Sequence, residues 1–382
     1  MRIERRFYVL PAATLSILLF LFIVLFNSST RNLTENAPAV KTLPIKPAWI
    51  GEFIPLPKPG LEPGLLAEVS ARAESIPLLH SMLVSRNGNL LIEEYYNGSS
   101  GTEPMNIKSA SKSVISALVG IAIKHGYLES LDQKVVDFLP EYFTGDMDPI
   151  KKTITIRHLL YMSSGLTSTS SDNYSAWVTS SNWIKNALNR PMRTKPGELM
   201  LYSTGDSHLI SAILTVATGM NTYDFAHKYL FDPMDIHIGG WDTDPQGIYF
   251  GGNNMAMSPL DLLKFGQTYL NNGYYNGREI IPANWVAEST RKHTRSYTSF
   301  RDFDYGYYWW LYTFADQHVY FAWGYGGQFI FVIPEMDTVA VFTSSDDLRP
   351  RNSGHLEQIH DLLELNIIPL LENMTTPAYA GQ

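Results

Sequence analysis

The sequence predicts an α/β (α+β) sandwich: an antiparallel sheet assembled from both ends of the chain, flanked by helices, with a mainly helical insertion. Three observations carry this. "SMLVSRNGNLLIEEYY" (81–96) alternates around Asn87-Gly88, a dipeptide suited to a two-residue hairpin turn. Residues 105–290 read mostly as helices with loops between them. Then "YGYYWWLYTF", "HVYFAW", "GGQFIFVIP" and "DTVAVFTSS" follow one another through short turns, as in an antiparallel meander.

At the N-terminus, Arg2, Arg5 and Arg6 precede an uncharged run from Tyr8 to Phe26. That run is long enough for one bilayer span and longer than a usual signal-peptide core. No small-residue cleavage site follows closely. The expectation is a cytoplasmic N-terminus (1–7), a transmembrane anchor (8–26) and an exported remainder at a bacterial periplasm or cell surface. A cleaved signal peptide is the alternative. Residues 27–63 include seven prolines between Pro38 and Pro63. Such chain is expected to form neither regular helix nor strand and to act as an extended spacer. The folded domain is expected over 64–375. It opens with a helix near 64–74 and closes with the amphipathic "HLEQIHDLLELNIIPLLE".

Composition narrows the function. The 382 residues are 45% hydrophobic and 17% charged, enough for a sizeable core. Net charge is −8 without a long basic run, which argues against a nucleic-acid partner. With no cysteine, a thiol nucleophile, thiolate metal ligands and disulfides are excluded. The ten histidines show no HExxH spacing, so no metal is expected. No GxGxxG or P-loop occurs, and no cofactor is expected.

What remains is "KSASKSVISALVGIAIKHGYLE" (108–129). After Lys108 the pattern VISALVGIAI (114–123) is apolar on every side, which predicts a fully buried helix. Ser109 and Lys112, three apart, share a face at its start. An exposed lysine is a poor base at neutral pH, with a pKa near ~10.4. Complete burial lowers that by up to roughly 3–5 units. A buried Lys112 can then take the proton from Ser109 as its oxygen attacks a carbonyl. The spacing alone is weak evidence. Ser289 and Lys292 repeat it in "ESTRKHTR" (288–295), a charged stretch expected to be solvated, where the amine would keep its proton. Two further segments add weight. Tyr202 sits at a loop-to-helix junction in "TKPGELMLYSTGDSHLISAIL", where it can face a cleft. Gly324, Gly326 and Gly327 lie beside two strands, where a ligand can approach the backbone and an N–H can stabilise an oxyanion.

In this order the segments "KSASKSVISALVGIA", "ITIRHLLYMSSGL", "KPGELMLYST", "MSPLDLLKFGQTYLNNG" and "GYGGQFIFVIPEMD" resemble the serine β-lactamase and penicillin-binding protein superfamily. The likeness runs over roughly 75–370 and is nearest to the class C branch, with its esterases and aminohexanoate-dimer hydrolases. The resemblance implies a β-lactamase/transpeptidase-like sandwich. It implies a serine hydrolase in which Ser109 is acylated, Lys112 accepts its proton and Tyr202 shares protons with Lys112 and the leaving group. The backbone N–H groups of Ser109 and Tyr325 would form the oxyanion hole, and Thr204, Trp323, Gly324 and Gly326 would contact the substrate. Two departures matter. Thr204 stands where the family has the asparagine of Y-x-N, and Ala322-Trp323-Gly324 replaces Lys-Thr-Gly. Both remove groups that hold a β-lactam, so a small-molecule or short-peptide ester or linear amide is the expected acyl substrate. β-Lactamase or D-Ala peptidase activity, or a penicillin-binding sensor module without turnover, are the alternatives.

Overall fold

Asn87 and Gly88 both have positive φ, 52° and 74°. Arg86 and Asn89 are register partners on either side, so the turn has two residues, as a type I′ hairpin requires. Around this hairpin the main sheet is built. The computed structural model describes residues 54–55, 63–297, 301–346 and 354–374, all within one unit, Lys46–Gln382. In the N-terminal part lie β1 (Ile54–Pro55), β2 (Leu79–Arg86) and β3 (Asn89–Tyr95). Five short strands follow: β4 (Met105–Asn106), β5 (Gly240–Trp241), β6 (Met255–Met257), β7 (Tyr274–Tyr275) and β8 (Arg278–Glu279). The C-terminal part gives β9 (Thr294–Tyr297), β10 (Asp302–Tyr305), β11 (Trp310–Phe314), β12 (Gln317–Gly324), β13 (Gln328–Ile333) and β14 (Thr338–Ser344).

Among the described residues the main sheet has nine strands, ordered β1-β3-β2-β14-β13-β12-β11-β10-β9. The two ends of the chain meet where β2 pairs antiparallel with β14, Arg86 opposite Thr338 and Met82 opposite Phe342. Every residue of β13 and β14 is buried, so both sheet faces are covered there. On one face the helix Pro259–Leu270 comes so close that a Cβ on Gly266 would lie 2.6 Å from Ile330. On the other, His360 of the closing helix sits among the rings of Phe303, Phe314, Phe321, Phe329 and Phe331, 5.2–5.9 Å away. This is the layered architecture expected, an antiparallel sheet flanked by helices.

Between the sheet halves lies the helical part. Its centre is the helix Ser111–Lys124, buried from Ser111 through Ala122, which packs on the helix Thr204–Thr218. The latter ends at Gly219, whose φ of 68° supplies the left-handed cap that only glycine adopts without strain.

Three expectations are corrected. The span placed at 8–26 lies outside the described residues, and among those described no helix is long and apolar enough to cross a membrane. The membrane-anchored, exported protein expected from the sequence is therefore not supported. Ile54–Pro55, inside the proline-rich stretch, does form a strand, parallel to β3 at the sheet edge. An edge strand tolerates proline because one side of it needs no ladder partner. Ser289 is not solvated: the short helix Ala283–Ser289 turns it inward, fully buried and donating to the Val286 carbonyl.

Candidate active site

Ser109 lies in a single 3₁₀ turn, Lys108–Ala110, that runs into the buried helix Ser111–Lys124. The turn is entered through Lys108 at φ 52°, an uncommon conformation for a residue with a side chain. It is held on both sides. Asn106 Oδ1 accepts from the Lys108 N–H at 2.9 Å, and the Lys108 carbonyl accepts from Ser111 Oγ at 2.8 Å. The Lys108 ammonium reaches Asp346 at 2.9 Å.

One helical turn on, Lys112 is 1% exposed. Its Nζ lies 3.0 Å from Ser109 Oγ and 2.6 Å from the Gly252 carbonyl oxygen. The Tyr202 ring lies beneath it, 5.2 Å from amine to centroid. Burial pulls the ammonium down from 10.5 to about 7, because taking a charge out of water favours the neutral amine. Tyr202 moves the other way. Burial pushes its phenol up to about 12, while a hydrogen bond with Ser109 opposes the shift. Near neutral pH the tyrosine therefore keeps its proton, and a large share of the lysine lacks one.

The other expected residues separate into two groups. Trp323 belongs to an aromatic wall: Tyr202 stacks on Trp310 at 5.8 Å, and Trp310 meets Trp323 at 5.0 Å. Gly324 ends β12 beside the Lys108–Ala110 turn, where a Cβ would lie 2.1 Å from the Ile107 oxygen. No other residue fits that approach. Tyr325 follows at the hairpin tip and is 45% exposed. Gly326, at φ 86°, makes the turn and faces the Ser345 carbonyl at the end of β14. Thr204 is buried at the start of its helix, its hydroxyl 2.9 Å from Ser170 Oγ. The second S-x-x-K pair takes no part: Lys292 bridges Asp304 at 2.8 Å. Ser207 is fully buried and donates to Thr204 O. Among the described residues no cluster of side chains could hold a metal ion.

Gly252 is the residue that sequence reasoning missed. A Cβ there would lie 2.2 Å from Ser207 Oγ and 2.7 Å from Lys112 Nζ. Only glycine lets the backbone come close enough to accept the amine. The signal was present in "YFGGNNMAMSP" (249–259), two glycines and two asparagines ahead of a helix.

A buried lysine whose pKa is pulled down to about 7, set against a serine hydroxyl beside the Tyr202, Trp310 and Trp323 rings, is an arrangement suited to acyl transfer. The Beta-lactamase family profile matches residues 80–364, well over half of the chain. The chain belongs to that family, and it is a serine hydrolase. An uncharacterised protein of Alkalihalophilus pseudofirmus is 22% identical over 231 residues, which cover 53% of this chain and 62% of that protein. Among solved structures, EstCE1, described as a hydrolase with promiscuous acyltransferase activity, superposes with a TM-score of 0.66 at 18% identity. The match covers 78% of this chain and 98% of EstCE1. A Bacillus anthracis protein described as a 6-aminohexanoate-dimer hydrolase gives a TM-score of 0.62 at 18% identity, covering 83% and 89%. At these identities the structural likeness speaks for the fold.

Proposed function

We propose that the protein hydrolyses an ester or linear amide through an acyl-enzyme on Ser109. Ser109 Oγ attacks the carbonyl carbon, and its proton passes to Lys112 Nζ. The carbonyl oxygen becomes an oxyanion facing the N–H groups of Ser109 and Tyr325. As the tetrahedral intermediate collapses, the leaving group takes a proton from the Tyr202 hydroxyl, which is made good from the Lys112 ammonium. Water then attacks the acyl carbon, giving its proton to the same pair, and Ser109 leaves with a proton restored. The observation that carries this reading is the 3.0 Å contact between Ser109 Oγ and a fully buried amine whose pKa is about 7. Tyr202, raised to about 12, suits a proton donor better than a base.

The substrate reading rests on what lines the site. Thr204 uses its hydroxyl on Ser170, and Ala322 is buried, so neither supplies the contacts expected for a β-lactam. The Tyr202–Trp310–Trp323 wall favours an apolar acyl group. A fluorophosphonate tests the nucleophile: Ser109→Ala should abolish covalent labelling, and Ser289→Ala should not. Labelling of Ser109→Ala at wild-type stoichiometry would overturn the assignment. A panel of p-nitrophenyl esters, nitrocefin, D-Ala peptides and aminohexanoate dimer tests the substrate. Esters are expected to exceed nitrocefin in kcat/KM, and a nitrocefin value in the ~10⁴–10⁸ M⁻¹s⁻¹ range of efficient enzymes would reverse that order.

A further inference from the structure

Behind Lys112 lies a second buried pair that the steps above do not use. His208, on the helix Thr204–Thr218, and Asp244, between β5 and β6, have side chains 1% and 0% exposed. His208 Nε2 lies 2.9 Å from Asp244 Oδ2. The other ring nitrogen, Nδ1, accepts from the Gly251 N–H at 3.4 Å, the longest link in the set. A backbone N–H can only donate, so Nδ1 carries the lone pair and Nε2–H donates to Asp244. Trp177, Trp183 and Phe250 surround the imidazole at 5.2–5.9 Å and fix its plane. Asp244 is fixed in turn, because its Oδ1 accepts from the N–H groups of Gln246 at 2.8 Å and Ile248 at 2.9 Å. Burial alone would raise this carboxyl, but the bond from His208 and these backbone donors hold it below its ordinary value. It stays a carboxylate.

Gly251 precedes Gly252, the acceptor for Lys112. One continuous path therefore runs from the Asp244 carboxylate through the imidazole, the Gly251 N–H and the Gly252 carbonyl to the amine and on to Ser109 Oγ. A neutral primary amine has two N–H bonds and one lone pair. The lone pair can take the serine proton only if an N–H is directed elsewhere, and the Gly252 carbonyl provides that direction. The other side of the loop is braced independently: Asn254 donates to Asp242 at 2.9 Å and accepts from Asn106 at 3.2 Å.

We infer that His208 and Asp244 are positioning residues for the acylation step, holding the Gly251–Gly252 backbone so that its carbonyl aims the Lys112 lone pair at Ser109. The inference rests on the Ser109 acyl-enzyme reading above. It separates from plain structural support because it acts on bond formation and not on ligand binding.

Asp244→Asn tests it. The carboxamide can still accept from the loop amides, but it turns an N–H₂ toward Nε2. Nε2 must then accept, the proton moves to Nδ1, and two donors face each other at Gly251. His208→Gln is the complementary change, keeping a donor for Asp244 and losing the acceptor for Gly251. Fluorophosphonate inactivation is resolved into kinact and KI. Both variants are expected to lose between about 10- and 100-fold in kinact, with KI within about twofold, as for a misaimed group in an intact site. Ser81→Ala, which removes a buried hydroxyl pair with Thr343 inside the sheet, serves as a destabilised control that keeps its kinact. Wild-type kinact in Asp244→Asn and His208→Gln overturns the inference and leaves the nucleophile assignment standing. Labelling that survives Ser109→Ala overturns the nucleophile instead. If neither variant folds, ¹⁵N shifts of His208 in the wild-type protein decide: an Nε2–H tautomer supports the path, and an Nδ1–H tautomer breaks it.

Discussion

Replacing Lys112 with methionine should abolish turnover and make the protein more stable. The magnitude follows from the amine's environment. Its pKa falls from 10.5 to about 7 on burial, and each pH unit corresponds to ~1.4 kcal/mol. At pH 7 the folded state therefore forgoes about 5 kcal/mol of amine protonation that the unfolded chain retains. Methionine removes that cost while nearly conserving volume. It also leaves the Gly252 carbonyl without its donor, at about 1–3 kcal/mol. A net gain of roughly 2–4 kcal/mol at pH 7 is expected. The sign depends on pH in a way that packing cannot imitate. Between pH 7 and 10.5 the unfolded chain binds one more proton than the folded one, so wild-type stability from this group rises with pH, by up to ~1.4 kcal/mol per unit. The advantage of Lys112→Met must shrink accordingly and vanish before pH 10. Guanidinium denaturation at pH 7, 8 and 9 reads this directly. A variant less stable than wild type at pH 7, with a difference that does not change with pH, would refute the buried neutral amine.

Further expectations concern the same site. With Lys112 as base, kcat/KM on a p-nitrophenyl ester should rise about tenfold per pH unit below about 7 and level off above it; a flat profile from pH 5 to 9 would remove Lys112 from the role. Gly252→Ala forces a methyl to within 2.7 Å of Lys112 Nζ, so kcat should drop by about 100-fold while circular dichroism stays native; unchanged kcat would mean the loop moves freely. Trp323→Ala should raise KM for aryl-acyl esters about tenfold and leave acetyl esters within about twofold, as expected for losing one aromatic contact; equal effects on both would place Trp323 outside the acyl site.

Where the sequence was legible, the information was local. Asn87-Gly88 fixes its turn through the φ values of two adjacent residues. β12, β13 and β14 read as strands because they are short apolar runs bounded by turns. Ser109 and Lys112 could be paired from their spacing, and an all-apolar helix implied the desolvation that makes the pair useful. What escaped notice depends on distant segments. Gly252 approaches Lys112 across 140 positions of chain, and no periodicity reports such a contact. Ser289 sits among charged neighbours, yet its helix buries it on the same side as Trp285 and Val286. Nor does anything local announce that the Thr204 hydroxyl pairs with Ser170, a partner 34 residues earlier. The histidine–aspartate pair is hidden because His208 and Asp244 lie 36 positions apart, with no spacing that marks them as partners.

The register of β2 against β14 has a consequence for how the chain comes off the ribosome. Arg86 and Thr338 are partners, so roughly 250 residues must be made after β2 before its second edge is covered. At about 5–20 residues per second that takes ~10–50 s. Through that interval the β2–β3 hairpin has only the two-residue β1 beside it, a small sheet marginal by itself, with apolar Met82, Leu83 and Val84 and an unpaired edge open to other nascent chains. The helical part can gather early from near neighbours, but the chain entering the Lys108–Ala110 turn docks against Gly324 of β12. The surroundings of Ser109 are therefore incomplete until β12 has been made. Yield in cells should depend on whatever shields that edge during translation, more than on the stability of the finished fold.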